Sequence, residues 1–70
     1  MYTVIELQDN KETVATLSWA FASEEAANQK YYEVLFHATS SDVPIHSAAL
    51  FYDGNIMKND YIMHPAPGEE

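Results

Sequence analysis

Midway along the chain, Ser23 to Thr39 (SEEAANQKYYEVLFHAT) is bracketed on both sides by segments whose apolar residues alternate. One helical period between two extended ones leaves few folds open. Ser23 offers a hydroxyl to a first-turn N–H, and Glu24 and Glu25 place negative charge at the positive end of the helix dipole. At ~100° per residue, Ala27, Tyr31, Val34, Leu35 and Ala38 share one sector, which defines the face turned to the core. Tyr32 and Phe36 stack on a second facet, where adjacent aromatics either rim the sheet with their edges or mark a subunit contact. Thr39 to Asp42 are poor helix formers and Pro44 bars continuation, so the helix is expected to end near Thr39 or Ser40.

Upstream, Tyr2 to Gln8 reads as a strand with Thr3, Ile5 and Leu7 on one side and Tyr2, Val4, Glu6 and Gln8 on the other. Asp9-Asn10-Lys11-Glu12 supplies turn residues, and alternation resumes over Thr13 to Ala22. There Ala15, Leu17, Trp19 and Phe21 form the more apolar side, expected under the helix, although Trp19 is equally a candidate to cover a neighbouring molecule. Downstream, Ile45 to Tyr52 and Asn55 to His64 flank Asp53-Gly54, a pair that tolerates the positive φ of a tight turn. The register of this second hairpin stays open, because loop length decides which of Leu50 and Phe51 is buried.

The element order is therefore ββαββ, an α+β fold with a four-stranded, mostly antiparallel sheet and one helix on one face. It is either a two-layer sandwich or, if the first and last strands pair in parallel, a grasp-like sheet. Residues 1–64 make a single domain, and 65–70 (PAPGEE) are expected to be a flexible acidic tail. One face of such a sheet has no helix of its own, and Tyr2, Val4, Tyr52, Tyr61 and Met63 are candidates to line it. A chain of 70 residues without cysteine has little core to spare, so a homodimer or higher oligomer formed through that face, or through Tyr32 and Phe36, is expected.

The charge balance narrows the partners. Eleven acidic residues face three basic ones, all lysine, for a net charge of −8. Such a chain cannot neutralise a run of phosphates, so direct nucleic-acid binding is not expected. No apolar run reaches the ~18 residues of a membrane span, and the opening residues lack a signal-peptide profile, so a cytoplasmic protein is expected.

Side-chain chemistry offers one constellation. His46 opens the third strand and His64 closes the fourth, so an antiparallel hairpin places them side by side, with Asp42 just upstream. Two imidazoles and a carboxylate suit a first-row divalent ion. A metal-dependent or catalytic domain using these three is accordingly the alternative to a binding protein, but the spacing follows no established metal motif. His46, Lys58, Tyr61 and His64, with Trp19 and the strand tyrosines, are the candidate lining of a small-ligand site at a subunit boundary. No nucleophile elbow and no glycine-rich phosphate loop is present, so neither an enzymatic activity nor a cofactor is expected.

The YTVIELQ opening, the V-A-T-L of the second strand, the helix-borne K-Y-Y and the V-P-I-H-S-A stretch with its closing H-P resemble a group of short uncharacterised proteins encoded by phages and prophages of Gram-positive bacteria. The resemblance implies a phage-associated accessory protein that carries no functional residues to transfer. The expectation is thus a non-enzymatic, homo-oligomeric interaction protein that sequesters a small ligand or blocks a host protein, with a virion structural component as the third possibility.

Overall fold

A computed structural model describes residues 1–64; the acidic segment 65–70 lies outside the described residues. The chain forms β1 (Tyr2–Asp9), β2 (Val14–Phe21), α1 (Glu24–Ala38), β3 (Ile45–Tyr52) and β4 (Asn55–Met63). The four strands make one sheet in the order β2-β1-β3-β4, and all three pairings are antiparallel. The ββαββ expectation holds, as a two-layer α+β fold. The grasp-like variant does not, because β1 borders β3 and is separated from β4. That arrangement sets Val4 directly opposite Leu50, and these are the largest fully buried side chains among the described residues.

Local chemistry sets the element ends. Ser23 Oγ accepts from Ala26 N at 3.2 Å and opens α1, with Glu24 and Glu25 in the first turn. Thr39 caps the other end, its hydroxyl donating to the Phe36 carbonyl at 2.7 Å. In the first hairpin, Asn10 Oδ1 accepts from the amides of Glu12 at 2.9 Å and Thr13 at 2.7 Å, while Lys11 takes φ 75°. The second hairpin closes through Asp53 (φ 49°) and Gly54 (φ 84°), the two positive values that match the twist of the flanking strands. Tyr52 pairs with Asn55 across that two-residue loop. Opposite Leu50 and Phe51 the ladder then shifts, so Leu50 faces Lys58, Phe51 faces Ile56, and Met57 is the extra residue of a β-bulge.

The core is a single layer. Ala27, Tyr31 and Val34 of α1 pack on Val4, Ala48 and Leu50, with Tyr2, Trp19, Phe21 and Leu35 around the margin. Tyr2, Val4 and Tyr52 therefore belong to the helix side, not to the uncovered face for which they were candidates. Tyr2 and Tyr52 are cross-strand partners whose rings lie 4.6 Å apart at the end of that layer. Of the two places open to Trp19, the structure shows the one under the helix: it packs against the core and carries Lys30 Nζ 4.2 Å above its ring.

Leu50→Ala should lower stability by about 2–5 kcal/mol, since it opens a cavity within the fully buried core layer. Gly54→Ala should cost about 1 kcal/mol, and only through its positive φ, because a Cβ there meets nothing within 4 Å. Urea unfolding at fixed protein concentration measures both; equal losses would contradict this layout.

Candidate functional site

Alternation along each strand gives the sheet two sides of different chemistry. On the helix side, β1 contributes Tyr2, Val4, Glu6 and Gln8, and β3 contributes His46, Ala48 and Leu50. His46 is only 4% exposed. Its Nε2 lies 3.6 Å from Glu6 Oε2, which also accepts from Gln8 Nε2 at 3.0 Å, and its Nδ1 has no hydrogen-bond partner among the described residues. Sequence reasoning missed Glu6 as a buried partner, although its two-residue spacing from Val4 places both on one side.

The proposed ligand residues do not converge. Lys58 is held on the helix side, donating to Asn28 Oδ1 at 2.8 Å and to the Tyr32 hydroxyl at 3.2 Å, with the rings of Tyr31 and Tyr32 at 5.5 and 5.0 Å. His64 Nε2 donates to the Ala38 carbonyl at 2.8 Å, and its backbone N–H donates to Pro44 O at 2.7 Å. Tyr61 pairs with Ser47 and lies on the opposite side of the sheet. A single concave site of His46, Lys58, Tyr61 and His64 is therefore not formed within one protomer. Asp42, His46 and His64 form no metal cluster either: among the described residues no three His, Cys, Asp or Glu side chains gather to hold an ion.

What does converge is the side of the sheet without a helix. At its centre Ile5 faces Ala49 and Leu7 faces Ser47 across β1 and β3, with Phe51 beyond them. The flanks carry Thr16 and Ser18 on β2 and Tyr61 and Met63 on β4. Val14, Tyr61 and Met63 are 57, 61 and 62% exposed. In a chain of net charge −8, the one ionisable carboxylate among these inter-strand positions is Asp9, at the rim, and it accepts from the Lys11 amide at 2.8 Å inside the hairpin turn. The face is otherwise apolar or neutral.

A smaller apolar feature sits on the outer side of α1, where Tyr32 and Phe36 are 57 and 72% exposed. Tyr32 stacks edge-on against Tyr31 with ring centres 5.2 Å apart, and Phe36 meets the His37 ring at 5.7 Å. Their rings share a facet, as the helical spacing predicts. No helix among the described residues is long and apolar enough to cross a membrane. No family model, curated protein or solved structure matches the chain.

Burial, and then the negative charge of Asp60, push the Tyr31 phenol above its ordinary value of 10.0. The unfolded chain ionises Tyr31 first, so this group's stabilisation is intact below pH 10 and is lost as pH climbs through the raised folded value. Tyr31→Phe should make the alkaline fall of the melting temperature shallower. An unchanged profile between pH 9 and about 11.5 would contradict the assignment.

Proposed function

We propose that the protein acts by binding and not by catalysis, as a homo-oligomer in which two copies stack their uncovered sheet faces. One observation carries this reading: the side of the sheet away from α1 presents Ile5, Leu7, Ala49 and Phe51 in a continuous field free of charged side chains except at Asp9. Four strands spaced ~4.8 Å apart, three of eight residues and one of nine, cover roughly 500 Å² in projection. The relief of side chains raises the accessible area toward the ~800 Å² per partner of a stable interface. Self-association suits this surface because a two-fold axis brings like against like, and a neutral field generates no repulsion when two acidic chains meet.

Stacked in this way, the two sheets lie ~10 Å apart and the helices point outward. The outer surface then carries Glu25, Glu33, Tyr32 and Phe36, which makes it the part of the oligomer that meets a host protein. The phage association implied by the sequence pattern belongs to the same proposal: an accessory factor that occupies a host partner. The catalytic alternative on Asp42, His46 and His64 draws no support from the positions of those residues, since His64 is spent on the Ala38 carbonyl and His46 lies beneath the helix.

Light scattering coupled to size exclusion should report no monomer at micromolar concentration. Ser47→Glu with Ala49→Glu, which places carboxylates at the middle of the field while leaving the core layer untouched, should weaken the face contact at least ~100-fold, or about 3 kcal/mol. A wild-type monomer across the dilution series, or a double variant that keeps the wild-type mass, would refute the proposal.

A further inference from the structure

The two edges of the sheet differ. Along β4 the outer edge bears Lys58 and Asp60 and is interrupted by the bulge at Met57, the devices by which sheets discourage pairing with another strand. Along β2 none of these is present. Thr13 to Ala22 contains no charged residue and no proline. The eight residues of β2 pair with β1 in unbroken register from Tyr2–Phe21 to Asp9–Val14. Val14, Ala15, Thr16, Leu17 and Ser18 are all exposed. Alternate N–H and C=O groups of such an edge point away from β1 into solvent, and α1 leaves Leu17 42% exposed on its own side of the sheet.

We infer that the β2 edge is a second self-association surface, at which β2 of another copy adds antiparallel to give a continuous eight-stranded sheet. The occupant is a copy of this chain for three reasons. An isolated peptide bound to a sheet edge is selected by pockets for its alternate side chains, and α1 lies over the central strands, leaving no wall beside Ala15 and Leu17 to shape one. A two-fold axis normal to the sheet matches the unbroken eight-residue ladder with one of equal length and keeps the helix sides aligned, so Leu17 of each copy covers the apolar surface next to the other's. The absence of charge from Thr13 to Ala22 lets two chains of net charge −8 approach along this line. The edge contact is independent of the face contact, and the two together close into a four-chain assembly with dihedral symmetry.

Leu17→Lys tests the edge alone, because residue 17 is on the helix side and the opposite face is left unaltered. Leu17 stands across from Glu6, so the lysine has a carboxylate partner within its own protomer and the fold, checked by circular dichroism, is retained. The wild type should scatter as four chains, Leu17→Lys as two, Ser47→Glu with Ala49→Glu as two, and all three substitutions together as one. A wild-type pair that Leu17→Lys splits and the face variant does not would keep the edge and refute the face. The converse, or a Leu17→Lys protein of unchanged mass, overturns the edge. Amide exchange on the wild type gives a reading without any variant. The alternate amides of Val14–Phe21 that point away from β1 should exchange at least ~100-fold more slowly than unprotected amides. Free exchange at those positions overturns the inference.

Discussion

Val4 against Leu50 is the contact on which the structure turns. Each is fully buried, they face one another across β1 and β3, and among the described residues no other side chain of their size is so completely enclosed. This pair joins the N-terminal hairpin to the C-terminal one at the centre of the sheet, and Ala27, Tyr31 and Val34 seal it from above. Small alanines at 27 and 48 let the helix approach closely. Because so few large groups take part, the core is thin for a chain of 70 residues.

Satisfying that contact dictates which chemistry goes where. Placing Val4 under the helix also brings Glu6 and Gln8 to the same side, and the protein accommodates them by a local polar set with His46. The same choice sends Ile5 and Leu7 to the other side of β1. The sheet thereby hides a carboxylate and an imidazole while turning aliphatic side chains to the side without a helix, an inversion of the usual sorting. The helix flanks reinforce the sidedness: Lys30 lies over Trp19 of β2, and Lys58 of β4 reaches Asn28 and Tyr32.

The parts of this fold written in short-range chemistry were legible in the chain. Ser23, Thr39 and the Asp53-Gly54 turn act within a few residues, so the helix and the second hairpin fall where their residues predict. The side of Trp19 and Phe21 followed from alternation as well. What alternation could not supply was which side of β1 faces the helix, because Thr3-Ile5-Leu7 is more apolar than Tyr2-Val4-Glu6-Gln8, and the decision comes from β3 and β2, which are distant in sequence. Strand order was equally hidden, since β1 beside β3 depends on the fit of Val4 to Leu50. The histidines look adjacent when counted from Gly54, yet one is drawn beneath the helix toward Glu6 and the other to the helix end at Ala38.

The bulge at Met57 has a reach beyond its own strand. Continued regularly from Tyr52 and Asn55, β4 would put Lys58 opposite Ala49 and Asp60 opposite Ser47, which are positions of the bare side; the observed ladder puts them opposite Leu50 and Ala48. One surplus residue thus transfers a cation and an anion to the helix layer and delivers Tyr61 and Met63 in their place. A β4 that kept Met57 but ran without the bulge would leave composition and helix untouched, yet would exchange an uncharged sheet surface for a charged one, so the character of that surface rests on the parity of a single strand.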